Sequence, residues 1–371
     1  MLYFKRKNEK RRFFMKKKFI RLTVLVLTLA MCLCACGENR VTVYEITAEI
    51  AWDVYPSEKA PAHAVRSGDT HYMLMGVYNG NEFSLAVKKD GYEKEVYSAY
   101  GVSIWFMEAE GEYAVWCEMT SDARVFKLYD GNNGEVSEIF SASLDAGYQN
   151  ANVGIYKGSV YFAYTDYTEK SAYIMRYDIG SKTLEKFCTL DFSGETSCTS
   201  LSVDRGMLTV SSGTEGNVSL ITFDLENGGE AETKKLDGSV DFVYGCAYDT
   251  VTGDIAVYYR DKDKKENIGV VKNGKRAPEV LFTFGENVYA YRDTVEIYGG
   301  HVYWVNQANV TGFVSDHYRF IDYNYIDGIT EEYIRTFSFS LTDDGVVLLS
   351  FNAREYDAIY LSEIYLGGQK K

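Results

Sequence analysis

Residues 158–166 read GSVYFAYTD, a glycine followed by a run of aromatic, β-branched and small residues bounded by an acid. A glycine suits a tight turn, and such a run packs well on a pleated surface, so the stretch predicts a turn and the strand that leaves it. Working outward, Asn152–Tyr156 predicts the strand entering the turn. Ala172–Tyr177 and Thr183–Leu190 predict two more strands, joined by a turn at Asp178. The signature recurs along the chain as GDTHYMLMG from Gly68, GEYAVWCE from Gly111, GMLTVSSG from Gly206, GDIAVYYR from Gly253, GHVYWVNQ from Gly300 and GVVLLSFN from Gly345. The intervals are 43, 47, 48, 47, 47 and 45 residues. A second marker follows in step: Asp90-Gly91, Asp130-Gly131, Asp178, Asp224, Asn273-Gly274 and, displaced by an insertion, Asp327-Gly328. Asp-Gly and Asn-Gly favour hairpins because a type I′ turn needs positive φ at both central residues.

Seven units of four short strands, with no convincing long amphipathic helix, resemble a seven-bladed β-propeller of four-stranded antiparallel blades. The resemblance covers 41–371 and is to the bacterial WD40-like, YVTN-like and TolB-like propellers, in architecture and period only; the WD dipeptide is absent. The ends predict closure. The last unit has strands at Phe337–Leu341, Val346–Phe351 and Ala358–Leu366 but lacks a fourth, and Val41–Ile50 is an orphan strand before the first unit. Pairing these would seal the ring and remove an open edge.

The N-terminus reads as an address. Residues 1–35 hold ten Lys/Arg against the single acid Glu9, so the chain's −14 leaves −23 for 36–371. From Met15, a basic Lys16–Lys18 and Arg21 precede the apolar run Leu22–Leu33, too short for a bilayer span of about 20 residues. Leu33-Cys34-Ala35-Cys36-Gly37 resembles the bacterial lipobox, which implies lipidation of Cys36. The expected organisation is a signal peptide over 1–35 with translation starting at Met15, a tether over 36–40, and a propeller over 41–371. The protein is then expected on the extracytoplasmic face of the cell membrane, held by lipid, as a monomer. A four-residue tether would place the short-turn face of the propeller near the bilayer.

Chemistry is sparse. No G-x-S-x-G, H-E-x-x-H, P-loop or G-x-G-x-x-G occurs, nor do sialidase-type Asp boxes or quinoprotein tryptophan motifs. His63, His71, His301 and His317 are the four histidines, and no C-x-x-C is present, so no metal or cofactor is expected. Asp261–Asn267 lacks the central glycine of a calcium loop and reads as a charged turn. The acidic body disfavours nucleic acid. Cys188 and Cys198 are expected to stay reduced, since outer and inner strands place them beyond disulfide reach. Tyr161, Phe162, Tyr164, Tyr258, Tyr303 and Trp304 are expected to pack between blades rather than form a carbohydrate platform.

The longer connections all fall on the face of the fourth-to-first and second-to-third strand loops, where binding residues concentrate. The candidates are Tyr148, Asn150, Asp166, Tyr167, Arg260, Tyr289, Gln307, Asn309 and Phe313. The leading expectation is a non-enzymatic binding or scaffold module, its partner an envelope protein or glycan. The alternative is a propeller enzyme (lactonase, glycosidase or polysaccharide lyase) with carboxylates at the channel mouth. Two or more carboxylates converging there with His or Arg would favour the enzyme, and an aromatic or flat polar rim would favour binding.

Overall fold

The computed structural model describes residues 53–56, 60–76, 82–144, 147–148, 152–190, 200–228, 231–284, 290–306, 314–315, 319–320, 334–342, 345–352 and 358–365. All of them fall in the compact unit Tyr44–Lys371. Every regular element among them is a strand.

The short strand β1 (Asp53–Pro56) precedes the first sheet, which is β2 (Ala60–Ser67), β3 (Thr70–Gly76), β4 (Glu82–Lys89) and β5 (Tyr92–Tyr100), paired in that order. The second sheet is β6 (Ser103–Glu110), β7 (Tyr113–Met119), β8 (Ala123–Asp130) and β9 (Glu135–Ser143). In the third, β11 (Val153–Tyr156), β12 (Ser159–Asp166), β13 (Ser171–Asp178) and β14 (Thr183–Leu190) match the four predicted strands to within a residue or so. The two-residue β10 (Gly147–Tyr148) adds to the far end of β12. The fourth sheet is β15 (Ser200–Asp204), β16 (Met207–Thr214), β17 (Asn217–Asp224) and β18 (Ala231–Lys235), and the fifth is β19 (Val240–Tyr248), β20 (Ile255–Asp261), β21 (Glu266–Val271) and β22 (Glu279–Thr283). A sixth begins with β23 (Ala290–Tyr298) and β24 (His301–Asn306); β25 (Val314–Ser315) and β26 (Arg319–Phe320) pair with each other. The last sheet holds β27 (Ile334–Leu341), β28 (Gly345–Asn352) and β29 (Ala358–Tyr365). The Asp327-Gly328 turn lies outside the described residues.

Local chemistry explains the repeat. Lys157 and Gly158 both have positive φ (46° and 72°), as do Arg205 and Gly206 (46° and 87°), which is the backbone of a type I′ hairpin turn. The recurring glycine therefore marks the first hairpin of each sheet. The core lies in layers between successive sheets. Phe126 of β8 stacks on Phe162 of β12 with centroids 4.2 Å apart, and Val115, Leu128, Val153 and Val160 complete that layer. Tyr161, Phe162, Tyr258, Tyr303 and Trp304 are buried and Tyr164 is half-buried, as the packing expectation required.

One strand sits elsewhere than expected. The segment beside β29 is β1, with Asp53 opposite Leu361 and Pro56 opposite Ala358. Residues 41–50, the expected partner, lie outside the described residues, as does Cys36. The displacement is intelligible: β1 leads directly into β2, so the strand nearest in sequence takes the free edge.

Candidate functional site

A cavity of about 710 Å³ is lined by the first strand of each of seven sheets, β2, β6, β11, β15, β19, β23 and β27. Its lining is drawn from the ends of those strands and from turn residues such as Gly68, Asp69 and Arg205. It therefore lies at the end of the assembly where first and second strands connect, opposite the longer loops.

Five acids line it, Asp69, Glu108, Glu110, Asp204 and Glu296, of which Glu108 of β6, Asp204 of β15 and Glu296 of β23 influence one another. Glu108 and Glu296 each stand two residues before the end of their strand, and Asp204 ends its own, so register places the three at neighbouring levels. Protein surrounds the Glu108 side chain, yet the cavity leaves much of its surface in contact with water; its exposure is to the cavity. Burial first, and then the charges of Glu296 and Asp204, hold its carboxyl well above the usual range. Glu296 is pushed up to about 8 by burial and by Asp204, partly countered by Arg205. Asp204 is also raised, by burial, although Ser202 Oγ (2.8 Å) and the Tyr248 N–H (3.2 Å) donate to it. Glu108 makes no side-chain hydrogen bond or ion pair among the described residues.

Basic groups share the cavity. Arg205, placed over the mouth by its positive-φ turn, donates to the Thr342 carbonyl at 3.2 Å and stacks on the Tyr298 ring at 4.1 Å. Arg66 donates to Thr342 Oγ1 at 3.1 Å. The His63 ring nitrogen Nε2 lies 3.3 Å from the Met107 carbonyl, and burial lowers its pKa to about 4, so the imidazole is neutral.

The same end carries ties between sheets. Glu110 accepts the Lys157 and Gly158 N–H groups (2.9 and 3.1 Å), and Ser67 Oγ accepts that of Gly111 (2.7 Å). Fully buried Asp249 accepts those of Val251, Gly299 and Gly300 and the Thr252 hydroxyl. Each of these three acceptors, at or just past the end of a first strand, satisfies turn donors, and five of the hydrogen bonds reach the next sheet.

Of the predicted loop residues that are described, Tyr148, Asp166, Tyr167 and Arg260, none lines the cavity. Tyr148 in β10 pairs with Thr165, which brings it beside Asp166 and Tyr167. Asp166 caps its own turn, accepting the N–H groups of Thr168 and Glu169. Arg260 is engaged by Asp241 (2.8 Å) and Glu215 (2.6 Å). Asn150, Tyr289, Gln307, Asn309 and Phe313 lie outside the described residues. The channel acids escaped sequence reasoning because carboxyls from different sheets converge only in three dimensions. A usable signal existed: Glu108 in SIWFMEAE and Glu296 in AYRDTVEIY each place a charge inside an innermost strand.

No protein-family model matches the chain, and no curated protein matches it. Solved structures do. The β-propeller domain of the Trilobed protease from Pyrococcus furiosus, described as having an open velcro topology, aligns at TM-score 0.55 and 11% identity, over 85% of this chain and 98% of that one. One of two prolyl endopeptidases aligns at 0.54 and 13%, covering 85% of this chain and 51% of that one. The acylaminoacyl peptidase of Pyrococcus horikoshii aligns at 0.53 and 10%, covering 84% and 53%. This chain spans about half the length of those two peptidases. At such identities the likeness establishes a β-propeller fold and nothing of activity.

Proposed function

We propose that the chain is a lipid-anchored, extracytoplasmic binding module: a seven-bladed propeller closed by β1 on β29, with its ligand site in the channel cavity. The observation that carries this reading is a cavity lined by seven first strands and furnished with charged groups, on a scaffold without a recognisable catalytic motif. A volume of about 710 Å³ falls within the usual range for small-molecule sites. The lipobox supports the anchor, and the order n-region, apolar run and Cys36 supports the location.

The convergence of Glu108, Asp204 and Glu296 with Arg66, Arg205 and His63 is the arrangement that favours a propeller enzyme, and it supports that as a second reading. Against it stands the direction of the proton affinities. Acid–base chemistry by two carboxyls needs environments that push them apart, one protonated and one ionised. Here all three are pushed upward, and His63 is neutral with Nε2 at a backbone carbonyl.

The test is a thermal-shift screen of the purified full chain against small metabolites and short glycans, repeated with Glu108→Gln, Arg205→Gln, Tyr167→Ala and Arg260→Ala. Loss of the shift in the channel variants alone supports the channel site. Loss only in Tyr167→Ala or Arg260→Ala returns the site to the long-loop face. Turnover of lactones or aryl glycosides that Glu296→Gln abolishes would replace binding with the enzymatic reading.

A further inference from the structure

The charge pattern inside the cavity narrows the ligand, given the reading of the channel as the binding site. Glu108 lines the cavity, in contact with the water in it, without a side-chain partner among the described residues and with four further acids in the same lining. The charges of Glu296 and Asp204 disfavour an unpaired carboxylate there, which either keeps its proton or acquires a cation. No side-chain cation pairs with Glu108 among the described residues: Arg205 acts on Glu296 and Asp204 and holds Thr342 and Tyr298, and Arg66 donates to Thr342. A bare metal ion is not favoured either, because among the described residues no three His, Cys, Asp or Glu side chains stand close enough to share one. The cavity is far larger than an ion, and Val65, Val153, Leu201 and Val295 add apolar surface to its wall.

We infer that the channel binds a compact organic cation, an ammonium or guanidinium group on a short alkyl chain, with Glu108 and Glu296 facing the cationic centre and the valine and leucine side chains covering the chain. The cation gives Glu108 the partner it lacks and favours its ionised form. Binding is then accompanied by release of a proton to solvent, from a carboxyl that was neutral to one that is paired.

Three four-carbon probes of different charge test this by titration calorimetry on the full chain in detergent: putrescine, 1,4-butanediol and succinate. Putrescine is expected to bind at least tenfold tighter than the other two. Its apparent enthalpy should vary with the ionisation enthalpy of the buffer, which reads the released proton. Glu108→Gln should weaken putrescine at least tenfold, with a melting temperature no lower than the parent's showing that the variant is folded; Glu296→Gln provides a second variant, with the same loss expected. Equal affinity for putrescine and butanediol, or no binding of putrescine, overturns the inference. Succinate binding that Arg205→Gln removes keeps the channel as the site and overturns its preference for cations. Putrescine binding unaffected by Glu108→Gln but lost in Tyr167→Ala overturns the channel reading itself.

Discussion

Glu296 holds its proton to about pH 8 because burial disfavours its charge and Asp204 repels it. The folded chain therefore binds more protons than the unfolded chain between about pH 4.5 and 8, and this group's contribution to stability falls as pH rises through that window. Glu296→Gln should melt higher than the parent at pH 8 and about equally at pH 4.5, read by circular dichroism. Asp249 is coupled in the opposite sense. Burial pushes it up, but the Val251, Gly300 and Gly299 N–H groups and the Thr252 hydroxyl outweigh that and hold it below its ordinary 3.8. Its contribution is present above that value and is lost as pH falls through the lower folded one. Asp249→Ala would leave those turn donors unpaired and should cost about 2–4 kcal/mol in urea unfolding at pH 7. Neither role was legible in the sequence. Asp249 looks like any turn acid, and Glu296 declares itself only as a charge within an apolar strand.

The strands and hairpins are the most legible part, for a local reason. A type I′ turn needs positive φ, Gly158 and Gly206 supply it, and the aromatic run that follows has one good way to bury itself. Packing between sheets then follows from alternation. Phe162 contacts both Phe126 and Phe140 of the neighbouring sheet, so Phe162→Ala should lower stability by about 3–5 kcal/mol, measured by urea unfolding. The strand beside β29 was harder to place, because Val41–Ile50 has strand composition while Asp53–Pro56, with an acid and a proline, has little. Its pairing is set by where the chain enters the first sheet, a property of topology and not of composition. Deleting 53–56 should expose the edge of β29 and lower the urea midpoint of the whole chain; an unchanged midpoint would show that β1 contributes nothing to closure.

For the whole molecule, the position of β1 changes the expected relation to the membrane. Sixteen residues separate Cys36 from Asp53, and they can span up to about 55 Å. If Cys36 carries lipid as proposed, that reach does not by itself require the short-turn face to lie against the bilayer. Cys36→Ala should abolish incorporation of labelled palmitate and release the protein from the membrane fraction; retained label would refute the lipobox assignment. Selection of a cation depends on the mutual influence of the channel acids, since carboxylates that did not sense one another would not hold their protons above the usual range. Carbon-13 NMR titration of glutamate-labelled full chain reads this directly. The account predicts one carboxyl with a midpoint near pH 8 that disappears in Glu296→Gln and moves down in Asp204→Asn. Titration of every glutamate between about pH 3.5 and 5, as in free solution, would contradict it.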